Sequence, residues 1–119
     1  MKFIILGAGA IGCYVGGRLA ASGQQVSLVG RPRMVTALSA QGLRLSDQAG
    51  FDAQVKAADL HLATSLADAY QLLEIDKNAS TSSVCVLVCT KATGTQAAAT
   101  EIAQTCPPGT MVVSLQNGV

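Results

Sequence analysis

Apolar residues fall in short blocks whose period changes along the chain. Phe3-Ile4-Ile5-Leu6 is an unbroken apolar run, the pattern of a strand buried on both faces. It stops at Gly7-Ala8-Gly9-Ala10-Ile11-Gly12. Ile11, Val15 and Leu19 then recur at helical spacing. Gly16, Gly17, Ala20 and Ala21 leave parts of that helix small enough for close packing on a sheet, and Gly23 is a stop signal. The first unit therefore reads strand, glycine turn, helix.

The alternation continues. Gln25 to Val29 is a second strand, and a helix follows from Pro32 to Ala40, with the proline suited to its first turn and Gly42 ending it. Leu43-Arg44-Leu45 and Phe51 to Val55 alternate weakly around Ser46-Asp47-Gln48-Ala49-Gly50, the pattern of a hairpin. A short strand is expected near Leu60 to Ala63. Leu66, Ala69, Tyr70 and Leu73 have helical spacing, and Asn78 to Ser83 reads as a polar, serine-rich loop. Val84 to Cys89 is a buried strand. Thr93 with Gln96 three residues later is a capping-box signal for a helix running to Thr105. Pro107-Pro108-Gly109 stops that helix, and Met111 to Leu115 is the last strand.

Strands alternating with helices imply a parallel sheet, because parallel neighbours need crossover connections. The fold class is α/β: a doubly wound, mostly parallel, Rossmann-type sheet forming one domain over residues 1–119. No repeat or low-complexity linker interrupts it. The abrupt end after a strand and turn reads as a piece of a longer protein.

Composition narrows the function. Half of the 119 residues are hydrophobic, enough for a real core. Eight Lys and Arg against seven Asp and Glu give a formal charge of +1, with two Tyr, two Phe and no Trp. That balance offers neither a basic nucleic-acid surface nor an aromatic stacking platform. The longest apolar runs fall far short of the roughly 20 residues that span a bilayer. Cys13, Cys85, Cys89 and Cys106 contain no CxxC pair, and no export signal precedes the first strand. The expectation is a reduced, cytoplasmic protein.

The chemistry concentrates at the ends of the predicted strands. Gly7, Gly9 and Gly12 form G-x-G-x-x-G between strand and helix, where missing side chains permit a tight turn and close approach of backbone to a pyrophosphate. The helix start supplies N–H donors and a positive dipole end. The competing reading is a glycine-rich turn without a ligand, and the flanking strand and helix favour the dinucleotide. Roughly 20 residues further on, an acid usually grips the ribose hydroxyls of NAD. This chain has Gly30-Arg31-Pro32-Arg33 there. A guanidinium pairs with a 2′-phosphate that an acid would repel, so NADP is favoured, with Arg31 the better placed of the two arginines.

Two more residues sit at the same expected sheet edge. Lys91 follows the Val84 to Cys89 strand, where open α/β sheets bind ligands; it reads equally as a cofactor or substrate contact and as a solvated strand-end lysine. Asn117, in Gln116-Asn117-Gly118, has an amide able to donate to and accept from a nicotinamide or a carbonyl substrate, although Asn-Gly is also a generic turn signal.

Taken together, Gly-Ala-Gly-Ala-Ile-Gly at 7–12, Gly30-Arg31, Lys91 after a strand, and Ser-Leu-Gln-Asn-Gly-Val at the end resemble the ketopantoate reductase (2-dehydropantoate 2-reductase) family. The likeness covers essentially the whole chain but only the first part of that family's usual length. It implies an NADP(H)-dependent oxidoreductase reducing 2-dehydropantoate to pantoate, a step toward pantothenate and coenzyme A. It further implies that Gly7, Ala8, Gly9, Ala10, Ile11 and Gly12 hold the pyrophosphate and Arg31 the 2′-phosphate, with Lys91 and Asn117 lining the cofactor and substrate cleft. The family's catalytic lysine belongs to a helical carboxy-terminal domain that is absent here, so this piece is expected to bind NADPH without turning over. Self-association is compatible with a surface normally covered by that domain. The stretch from Ser65 to Ser83 looks longer and more polar than the family's usual link.

Two rivals stay open. One is a dehydrogenase of the same architecture acting on another 2-oxo or 3-hydroxy acid. The other is a non-catalytic regulatory nucleotide-binding module, against which Arg31 counts. His61, the lone histidine, has no cluster around it that would make a metal site. Cys85 and Cys89, four apart on a strand, read as core residues on one face. Cys13 lies close to the expected cofactor with nothing activating beside it.

Overall fold

A computed structural model of the chain describes residues 1–46, 50, 52–73, 84–90 and 94–115. The elements run β1 (Lys2–Leu6), α1 (Ala10–Ala21), β2 (Gln25–Val29), α2 (Pro32–Gln41), β3 (Leu43–Ser46), β4 (Asp52–Val55), a 3-10 turn (Ala57–Asp59), β5 (His61–Ala63), α3 (Leu66–Leu72), β6 (Val84–Val88), α4 (Thr95–Thr105) and β7 (Met111–Ser114). Five strands form one sheet in the order β5-β2-β1-β6-β7, and every pairing in it is parallel. The order reverses on either side of β1, so the crevice between the ends of β1 and β6 is the topological switch point, where open α/β sheets take ligands.

The run Phe3-Ile4-Ile5-Leu6 is apolar throughout because β1 is central and both of its faces are covered. Ile4 and Leu6 join Val84, Val86 and Val88 in a core under α3 and α4. Phe3 and Ile5 join Cys85, Leu87, Val26 and Leu28 in a second core on the α1 side. The two-residue period of a strand divides each run between the two layers. Cys85 and Cys89 do share a face, as their spacing predicts, and none of the four cysteines is in a disulfide.

The β3–β4 hairpin stands apart from the main sheet and pairs in register from Leu43↔Val55 to Ser46↔Asp52. It lies on the far side of α1. A β-carbon on Gly16 would meet Leu28 at 2.5 Å and Ile5 at 2.9 Å, whereas one on Gly17 would meet Leu43 and Leu45 at 2.7 Å. The adjacent glycines thus let one helix sit close to the sheet on one side and to the hairpin on the other.

Sequence expectation and structure differ in four places. The helix expected to be capped by Thr93 has Gly94 as its N-cap, with no side-chain cap hydrogen bond; Thr93 itself lies outside the described residues. A true cap occurs instead at α3, where Ser65 Oγ accepts from the Asp68 N–H at 3.2 Å and Glu101 of α4 accepts from the Leu66 N–H at 2.8 Å. Ile11, which shares the helical spacing of Val15 and Leu19, is 40% exposed, whereas Val15 and Leu19 pack against the core. Finally, β7 is apolar like the buried strands, yet Met111, Val112 and Val113 are exposed and stand outside both cores. The expected turn at 47–49 and the loop at 78–83 lie outside the described residues.

Candidate functional site

The glycine turn is built by three constraints. Gly7 has φ +108, a conformation costly for any residue with a side chain. A β-carbon there would also press on the Thr90 nitrogen at 2.8 Å. The Gly7 and Ala8 N–H groups both donate to the Val29 carbonyl, at 3.0 and 2.9 Å, which ties the turn to the end of β2. Gly12 packs so closely beneath the turn that a β-carbon would fall on the Gly7 carbonyl oxygen.

Gly9 differs from both. Its backbone is extended, at φ −87 and ψ −161, within reach of any residue. Among the described residues, a β-carbon there would find nothing within 4 Å. Neither strain nor packing among the described residues explains a glycine at this position. Gly9 is also the N-cap of α1, makes no side-chain cap hydrogen bond, and is followed by a first turn with no acid. Early N–H groups of a helix have no intrahelical partner and carry the positive end of its dipole. Among the described residues the site therefore combines open space, N–H donors and a first helical turn without an acid, which fits a pyrophosphate.

The neighbouring wall is equally specific. Ala8 is buried, and a β-carbon on Gly30 would meet its Cβ at 2.9 Å, so Gly30 lets the end of β2 close on the turn. The Gly30 N–H donates to the Ala63 carbonyl at 3.0 Å, linking β2 to β5 at this edge. Arg31 follows as the exposed N-cap of α2, with Pro32 in the first turn. Arg33 is exposed on the same helix.

The six glycine-loop residues and Arg31 thus come together at the carboxyl ends of β1 and β2. Lys91 and Asn117 lie outside the described residues. Thr90 was missed by sequence reasoning and forms the floor beside Gly7. The register places it: Leu6 pairs with Val88, and the Cys89 N–H donates to the Leu6 carbonyl at 2.9 Å, so Thr90, two residues past the end of β6, comes beside the turn.

Cys13 is a poor nucleophile. Its thiol donates to the Ala8 carbonyl at 3.6 Å, and burial pushes its pKa up despite the adjacent helix start. Among the described residues no three His, Cys, Asp or Glu side chains are placed to hold a metal ion. No helix among them is long and apolar enough to cross a membrane.

These features define a Rossmann-type α/β domain with a glycine turn opening a helix at its switch point. Comparison with known proteins gives its family: the ketopantoate reductase PanE/ApbA profile matches residues 3–119, and the chain belongs to that family. It is 46% identical over 57 residues to a 2-dehydropantoate 2-reductase of Pyrococcus horikoshii, a match covering 48% of this chain and 19% of the relative. Its fold is similar to a PanE/ApbA family ketopantoate reductase from Ralstonia eutropha, at 39% identity and TM-score 0.76, over 99% of this chain and 35% of that one. It is also similar to a D-mandelate dehydrogenase solved with NADH and anilino(oxo)acetate, at 25% identity and TM-score 0.70, over 100% of this chain and 34% of that one. The chain therefore spans about a third of the length of these solved relatives. Membership makes it part of an oxidoreductase family acting on small molecules.

Proposed function

We propose that this chain is the NADPH-binding domain of an oxidoreductase that reduces 2-dehydropantoate, or a close 2-oxo acid, in the cytoplasm on the route to pantothenate. The observation that carries the reading is Gly9: a glycine required neither by its backbone nor by any neighbour among the described residues, at the N-cap of α1. Absence of a side chain there has a physical purpose if a phosphate must approach the backbone.

In this reading the N–H groups at the start of α1 hold the pyrophosphate. Arg31, exposed at the end of β2, pairs with the 2′-phosphate through its planar fork of donors. Lys91 and Asn117 contribute from the ends of the strands that follow, toward ribose, nicotinamide or the substrate carbonyl. The bound nicotinamide supplies the hydride, and the protein supplies binding, orientation and electrostatics. The proton for the product hydroxyl is assigned in this reading to the carboxy-terminal domain of the intact enzyme. The 119-residue piece accordingly binds cofactor without turning over.

A second reading, an NADH-dependent dehydrogenase of another 2-oxo acid, draws support from the D-mandelate dehydrogenase likeness. Calorimetric titration with NADPH and NADH separates the two. NADPH is expected to bind at least tenfold more tightly, and Arg31→Ala to remove that preference while leaving NADH unchanged, consistent with roughly 1.5–3 kcal/mol for a hydrogen bond to a charged group. Equal affinities in the unaltered chain would overturn the NADP assignment.

A further inference from the structure

Thr90 is held between two glycines. On one side a β-carbon on Gly7 would meet the Thr90 nitrogen at 2.8 Å and its methyl Cγ2 at 3.0 Å. On the other, a β-carbon on Gly94 would meet Thr90 Cβ at 3.3 Å, with Cγ2 and Oγ1 at 3.8 Å. Gly7 is the first residue of the turn below α1, and Gly94 is the N-cap of α4. One β-branched residue thus lies close to both the turn after β1 and the start of the helix after β6. These are the two sides of the switch-point crevice. Threonine has a stiff χ1, so its methyl acts as a fixed spacer.

We propose that Thr90 is a positioning residue for the dinucleotide, its methyl group setting the separation between the glycine turn and the start of α4. The inference rests on the cofactor reading above and adds a residue to it. It makes a chemical distinction: the spacing depends on the β-branched shape of the side chain. Valine preserves that shape, serine keeps only the hydroxyl, and alanine keeps neither.

The test is a calorimetric titration of the unaltered chain and of Thr90→Val, Thr90→Ser and Thr90→Ala with NADPH, well below each melting temperature. Thr90→Ala and Thr90→Ser are expected to bind about five- to tenfold more weakly, and Thr90→Val to recover affinity to within about twofold. Recovery by serine and not valine would overturn the proposal, as would an unchanged Thr90→Ala. Gly94→Ala approaches the same contact from the other side and serves if Thr90→Ala does not fold. Its β-carbon must displace Thr90 by a few tenths of an ångström, and unchanged NADPH affinity would then count against the spacer. A folded, unaltered chain that binds neither NADPH nor NADH would overturn the cofactor reading and this inference together, whereas tight binding insensitive to Thr90 would overturn the inference alone.

Discussion

A β-carbon on Gly12 would fall on the carbonyl oxygen of Gly7, so α1 can start where it does only because position 12 has no side chain. The same sequence motif nevertheless holds glycines of two kinds. Gly7 and Gly12 are required by the fold, and Gly9 is not.

For Gly12→Ala the overlap is with backbone, which cannot rotate away. Over-packing of this kind costs about 1–3 kcal/mol or more. Denaturant unfolding should show a midpoint lowered accordingly, with weaker cofactor binding as a consequence of the displaced turn. An unchanged midpoint would show that the turn yields more easily than its packing implies.

Ser27 offers a stability test away from the site. It is wholly buried on β2, between Ile4 and His61 in register, and among the described residues its hydroxyl has no hydrogen-bond partner. A buried hydroxyl without a partner costs about 1–3 kcal/mol. Ser27→Ala is therefore expected to be neutral or stabilising by about 1 kcal/mol in thermal or denaturant unfolding. A loss of more than about 1 kcal/mol would mean that the hydroxyl is satisfied.

Alkaline pH should weaken the fold. Burial raises the pKa of Cys13, Cys85 and Cys89 above the ordinary thiol value of 9.0 and raises that of Tyr70 as well. Each group binds its proton more tightly folded than unfolded. The associated stability is complete below the unfolded pKa and is lost as pH rises through the folded one. The melting temperature should be flat with respect to these groups near neutrality and fall above about pH 9. Alkylation of native Cys13 should be slow at neutral pH for the same reason. A rapid reaction there would show a thiolate that the burial does not allow.

Much of the fold was legible because β1 and β6 are continuous apolar runs, the pattern of strands buried on both faces. Gln25 to Val29 lies between the helix stop at Gly23 and Gly30-Arg31-Pro32. Ser65 as a cap was missed, since its partner is the backbone of Asp68 and its reinforcement comes from Glu101, 35 residues beyond Leu66 in the chain. Thr90 was missed because its significance lies in register and in the distant Gly7, neither of which a local pattern displays. The glycine motif was visible at once. Which of its glycines serve packing and which leaves room for a ligand could be read only from the space around each.

That division gives the central test, Gly9→Ala. Alanine suits the backbone at position 9 and meets nothing among the described residues. Reduced freedom of the unfolded chain, about 0.4–1 kcal/mol in its favour, offsets the poorer N-cap. The melting temperature should hold to within a few degrees while NADPH affinity, measured by calorimetry, falls at least tenfold. Unchanged affinity in a folded Gly9→Ala chain would contradict the claim that this opening receives the pyrophosphate.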